Sequence, residues 1–155
     1  MQGGSQEIAY EYIRGTRGIS SAAKYPYKAR DNLQCTYNST FSVASIMSYT
    51  LIPPRNETLL KQAVAAIGPI SISIDASLSS FQSYKSGVYN DAACSNTTIN
   101  HGMLIVGYGT DPVGGDYWLI KNTYGLSWGE RGYMKLARNK NNLCGVTNYA
   151  MYVSV

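Results

Sequence analysis

A change of hydrophobic period at Gly68-Pro69 constrains this chain more than any other feature. Before it, Leu59, Leu60, Ala63, Val64 and Ile67 recur at the spacing of one helical face. After it, Ile70-Ser71-Ile72-Ser73-Ile74 alternates strictly, which is the pattern of a half-buried strand. The spacing predicts a helix starting at Asn56 or Thr58 and stopped by Gly68-Pro69, followed at once by a strand.

Outside that junction, Ser5 is placed to cap a helix running to about Arg14, with Ile8, Ala9, Tyr12 and Ile13 at helical spacing and Gly15 and Gly18 ending it. Lys24-Tyr25-Pro26-Tyr27 reads as extended chain, because proline biases its predecessor away from helix. Strand-like runs follow that of 70–74 at 103–108, 117–121, 133–137 and 149–153, punctuated by glycines, and no helices are expected between any of these strands. Helices early and strands late give an α+β class, with an antiparallel sheet closing towards a barrel.

The 155 residues, 45% hydrophobic and 14% charged, suffice for one domain with a real core. The formal charge of +4 is small and evenly spread, which argues against a nucleic-acid partner. No apolar run approaches the ~18 residues of a membrane span, and Met1-Gln2-Gly3-Gly4-Ser5 has no signal-peptide pattern. One histidine and three cysteines at these spacings make no zinc site, so neither metal nor cofactor is expected.

The cysteines Cys35, Cys94 and Cys144 are odd in number. Acceptor sequons begin at Asn38, Asn56 and Asn96. Together they lean towards a glycosylated protein of the secretory route, with one disulfide and one leftover thiol. The alternative is a reduced cytosolic protein with three buried thiols.

Any imidazole chemistry must run through His101, the only histidine. It precedes the strand-like run Met103–Tyr108, while Asn122 ends the next run, in Trp118-Leu119-Ile120-Lys121-Asn122. If these strands pair antiparallel, the start of one lies beside the end of the other. An amide oxygen accepting from one ring nitrogen would then fix the tautomer and leave the other nitrogen free for a nucleophile. A core histidine satisfied by a neighbour fits the same residues.

Asn122-Thr123-Tyr124-Gly125-Leu126-Ser127-Trp128-Gly129-Glu130-Arg131-Gly132-Tyr133 resembles the Asn-Ser-Trp-Gly-x-x-Trp-Gly-x-x-Gly-Tyr stretch of papain-like cysteine peptidases. Asn100-His101-Gly102 with Gly107-Tyr108-Gly109 resembles that family's histidine segment. Gly68-Pro69-Ile70-Ser71, Ser86-Gly87-Val88-Tyr89 and the stretch from Tyr12-Ile13 to Tyr25-Pro26-Tyr27 match as well, so the likeness covers nearly the whole chain and is nearest the cathepsin L branch.

The resemblance implies a papain-like fold, with about 1–50 a remnant of the helical half and about 51–155 mostly the strand-rich half. It implies His101 as base and then acid, with Asn122 as its orienting group in a Cys–His–Asn arrangement. Tyr124 stands where the family has a tryptophan that shields that pair and forms part of the leaving-side substrate subsite, and Trp128 is expected to pack. Met1-Gln2-Gly3-Gly4 matches a Cys-x-Gly-Gly segment whose backbone pairs with an extended substrate, Gly3 and Gly4 making the approach. Ser5, Gln6, Ser73, Ile99 and Tyr149 fall at positions lining the pocket for the second residue before the cut, and Asn100, beside the histidine, is expected to contact substrate as well. Tyr149 is large and Ser5 and Gln6 are polar, so a shallower, less apolar pocket is expected. Cys94 and Cys144 match a disulfide, and Cys35 a half-cystine whose partner lies upstream. The implied partners are a peptide or protein substrate and cystatin-type or propeptide inhibitors; the implied compartment is lysosomal or extracellular.

The family's nucleophile lies roughly 130–150 residues before its histidine, which places it about 30–50 residues before Met1. Three readings follow: an incomplete record of a peptidase, one chain of a cleaved enzyme whose N-terminal chain or segment carries the nucleophile, or an inactive homologue that binds peptides or inhibitors. The lost nucleophile could also be serine. The first ~50 residues should pack less well than the strand-rich part.

Overall fold

The computed structural model describes residues 3–31 and 33–155, and the chain divides into two compact units. The first comprises residues up to Thr50 together with Val153–Val155, and the second Leu51–Tyr152.

In the first unit, helix α1 spans Gln6–Gly15, and the Ser5 hydroxyl accepts from the Ile8 N–H at 3.3 Å as its N-cap. Strands β1 (Ile19–Ser20) and β2 (Ser42–Ala44) pair antiparallel. Gly18 makes that approach possible: at φ 143° a side chain would run into Ser42 and come within 2.9 Å of the Ala44 carbonyl. Strand β3 covers Ser48–Leu51, and the Met47 N–H donates to the Ser154 carbonyl at 2.8 Å. Contacts here are mostly aromatic and polar, such as Tyr10 on Tyr49 with ring centres 5.9 Å apart and the Tyr49 hydroxyl donating to Glu7 at 3.1 Å. No described apolar side chain of this unit is buried. The stripe expected on α1 is therefore not a core face; Ile8 is 70% exposed. Lys24-Tyr25 is not extended either: both N–H groups turn back to the Ser21 carbonyl.

In the second unit, helix α2 (Glu57–Ala66) is capped by Asn56, whose side chain accepts from the Leu59 N–H at 2.9 Å. Of its stripe, Leu60 and Val64 are buried and Ala63 packs partly buried against the core. Leu59 and Ile67 remain partly in water. Strand β4 (Ile70–Ile74) follows directly, with its three isoleucines fully buried and its two serines half-buried. A short helix α3 (Ser79–Gln82) and a two-residue strand β5 (Val88–Tyr89) precede β6 (His101–Asp111), β7 (Gly115–Lys121), β8 (Tyr133–Ala137) and β9 (Tyr149–Ser154).

Within this unit the strand order is β9-β4-β6-β7-β8-β5. All pairings are antiparallel except β5 with β8. The sheet is thus mixed and open, and the expected closure towards a barrel does not occur. Closure requires every edge to be paired, and β5, at the end of the order, pairs with β8 alone among the described residues. The expectation of no helix between the strands also fails at α3, whose four residues are too few for a readable period.

The core lies between α2, α3 and the sheet, with Leu60, Ile70, Ile72, Ile74, Phe81, Ile105, Trp118, Ile120, Met134 and Leu136 wholly out of water. Each such aliphatic side chain contributes about 1.5–3 kcal/mol relative to leaving it exposed. Glu57 ties helix to sheet, accepting from the Trp118 indole at 3.1 Å and the Asn139 N–H at 2.8 Å. Cys94 and Cys144 form a disulfide, with Cα atoms 4.9 Å apart.

Candidate active site

His101 opens β6 and is placed by register. It pairs with Ile74 across the ladder, and the Asn100 N–H just before it donates to the Ile74 carbonyl at 2.9 Å. Asn122 follows the last residue of β7, and its own N–H is held by the Gly132 carbonyl at 2.9 Å. Because β6 and β7 run antiparallel, the two residues meet: His101 Nε2 lies 2.8 Å from Asn122 Oδ1.

The same oxygen accepts the Thr123 N–H at 2.7 Å. A backbone donor can face only the amide oxygen, so the orientation of the Asn122 side chain is fixed. Nε2 must therefore donate to it, and in the neutral ring Nδ1 keeps its lone pair. Asn122 is buried, and its Nδ2 has no partner among the described residues.

Tyr124 covers the imidazole, with ring centres 4.9 Å apart, and meets Trp128 edge-on at 5.6 Å. Trp128 is buried against Phe81 and Tyr84 and donates its indole N–H to the Gln82 carbonyl at 3.0 Å, so it anchors the loop that carries Tyr124. Gly129 lets this loop pass: at φ 56°, a side chain would stand 2.5 Å from the Tyr133 carbonyl. Tyr124 itself is 43% exposed, so the His101–Asn122 pair is covered rather than sealed.

Of the other residues singled out in the sequence, Ser73 lies between Gly102 and Tyr149 on the strands either side of it. Ile99 and Asn100 lead into His101, with Ile99 41% exposed. Gly3 and Gly4 are exposed in the first unit, where Ser5 caps α1 and Gln6 begins it. Met1 and Gln2 lie outside the described residues.

Cys35 is an exposed free thiol in the first unit, 3.5 Å from the Tyr12 hydroxyl. Bonds from Tyr12, the Tyr37 backbone and Tyr25 hold it below the ordinary thiol range. Among the described residues no group of three or more His, Cys, Asp or Glu is arranged to hold a metal ion, and no helix is long and apolar enough to cross a membrane.

Sequence reasoning missed Asp75, a buried carboxylate directly after β4. It accepts from the Ser77 N–H at 3.0 Å, the Ser95 N–H at 3.1 Å and Asn100 Nδ2 at 2.9 Å. The available signal was an acid continuing an alternating isoleucine strand.

A family profile described as papain family cysteine protease matches residues 1–154. The chain belongs to that family. This papain-family chain is 51% identical over 150 residues, 97% of its own length, to a cathepsin L-like protein of Caenorhabditis elegans, of which it covers 44%. It superposes on the digestive procathepsin L 3 of Tenebrio molitor larval midgut with a TM-score of 0.93 at 38% identity, over 99% of this chain and 49% of that one. It also superposes on the bromelain protease of Ananas comosus solved with the E64 inhibitor, with a TM-score of 0.87 at 36% identity, over 99% of this chain and 70% of that one. The chain thus spans less than half the length of the cathepsin L-like relative and of the procathepsin.

Proposed function

We propose that this chain is the C-terminal part of a cathepsin L-like cysteine endopeptidase. It supplies the histidine and asparagine of a Cys–His–Asn centre whose nucleophile comes from outside these residues. The observation that carries the reading is the Nε2–H donated by His101 to an Asn122 oxygen already oriented by a backbone N–H.

In this reading Nδ1 takes the proton of the incoming thiol, and the thiolate attacks the peptide carbonyl. The imidazolium then returns the proton to the leaving amine, and water cleaves the acyl intermediate with the same ring as base. Asn122 keeps the ring in register through both proton transfers, and Tyr124 limits water at the bond between them. Residues about 1–50 are the remnant of the helical half and about 51–155 mostly the strand-rich half. The backbone of Gly3 and Gly4 pairs with extended substrate. Ser73, Ile99 and Tyr149 select the second residue before the cut, and Asn100 contacts substrate beside the reacting centre. A lysosomal or extracellular setting, sequon glycosylation and inhibition by propeptide or cystatin-type proteins follow from the same reading.

The test is the intact mass of the native protein from its source, before and after a thiol-directed peptide epoxide. The expected result is a deglycosylated species well above 16.9 kDa that takes up one epoxide at a cysteine outside these residues. A deglycosylated mass near 16.9 kDa with no adduct overturns the peptidase reading and leaves the inactive peptide- or inhibitor-binding homologue.

A further inference from the structure

The reading of His101 as an oriented base leaves open what holds the backbone from which the ring projects. Asn122 fixes the imidazole from one end only. On the other side, Asn100 is gripped at both ends of its amide: Oδ1 accepts the Ala76 N–H at 2.8 Å, and Nδ2 donates to Asp75 Oδ1 at 2.9 Å. With the Asn100 N–H to the Ile74 carbonyl, three hydrogen bonds lace residues 74–76 to the position just before His101.

From this geometry we infer that Asp75 is a positioning residue for His101, acting through Asn100. Burial alone would push this carboxyl up, but bonds from Ser77, Ser95 and Asn100 outweigh it and hold the group below the ordinary carboxylate range, so the acceptor is charged at neutral pH. Its second oxygen takes the Ser95 N–H, and its own N–H donates to the Cys144 carbonyl at 2.8 Å. The disulfide loop and the turn after β4 thus share one buried charge with the residue beside the histidine. A charged acceptor strengthens each of these bonds, and a fully satisfied network of this kind has one low-energy arrangement. The inference rests on the reading of His101 as an oriented base, but it can fail separately.

Because the chain has one histidine, ¹⁵N-labelled protein gives one pair of ring nitrogens, and a long-range ¹H–¹⁵N spectrum reports which of them carries the proton. In the wild-type chain the neutral ring should be held as the Nε2–H form. Asn100→Ala, which changes no charge, and Asp75→Asn should each convert that single form into an averaged mixture, while backbone signals of β4 and β7 persist. Asn100→Asp alone should do the same, by setting two carboxylates face to face. Combining it with Asp75→Asn restores a donor opposite an acceptor and should recover much of the Nε2–H form.

If the single variants lower the unfolding midpoint while the ring keeps its tautomer, Asp75 is a structural brace and the inference is overturned. If the wild-type ring is already averaged, the orientation of His101 itself fails, and with it the reading on which the inference depends.

Discussion

In residues 51–152 the three isoleucines of β4 are wholly out of water, whereas in residues 3–50 Ile8, Val43 and Met47 stand 70%, 68% and 68% exposed. The overall composition is ordinary for a folded domain, yet the core is gathered in one unit. The second unit closes a sheet face with α2 and staples a loop with Cys94–Cys144. The first relies on caps, a two-strand ribbon and tyrosine contacts between half-exposed rings. His101 and Asn122 project from strand ends of the unit that has the core, so their geometry inherits the rigidity of that sheet.

The contrast can be broken most forcefully at β4. Ile72→Ala removes a fully buried side chain and should cost about 2–5 kcal/mol, read as a lower urea midpoint. A loss under about 1 kcal/mol would mean that the second unit holds no tight core. Replacing both Cys94 and Cys144 by alanine opens a loop of sequence separation 50 and should cost a similar amount, about 2–5 kcal/mol, with the loss confined to the second unit.

A pH series sharpens the comparison. The Asp75 carboxyl is depressed in the folded chain, so its contribution is present above the unfolded carboxylate value of about 3.9 and is lost as pH falls through the lower folded value. Wild-type stability should therefore drop below about pH 4, and Asp75→Asn should flatten part of that drop. An unchanged acid limb would remove Asp75 from the account.

Smaller effects belong to the first unit. Ser5→Ala deletes the α1 cap and should cost about 1 kcal/mol locally, visible as faster amide exchange over 6–15. Ile8→Ala should change stability by no more than about 0.5 kcal/mol, since its side chain is already in water. If it behaves like Ile72→Ala, the two units do not differ as described.

What the sequence disclosed follows the same line. The period change at Gly68-Pro69 located α2 and β4 because both patterns are local, and Asn56 proved the cap between the two starts considered. The meeting of His101 and Asn122 was legible because antiparallel neighbours bring a strand start beside a strand end. The open sheet was not legible, since it depends on a two-residue strand pairing parallel with β8 across more than forty residues. Nor was the register shift between Ile105 and Gly107, which alternation alone cannot reveal. The Asp75 clamp joins residues about 20 to 25 apart in sequence, and no local pattern marks such a bond. The exposed face of α1 misleads for the opposite reason: helical spacing records a stripe and says nothing about what covers it.

The most direct test of the central claim, that this sheet presents an oriented imidazole, is the ring-nitrogen spectrum of the only histidine across pH 5–9 in wild type and in Asn122→Ala. The expected result is a neutral wild-type ring held as the Nε2–H form and an averaged ring in the variant. An averaged wild-type ring, or a ring protonated at Nδ1 in both proteins, would contradict it.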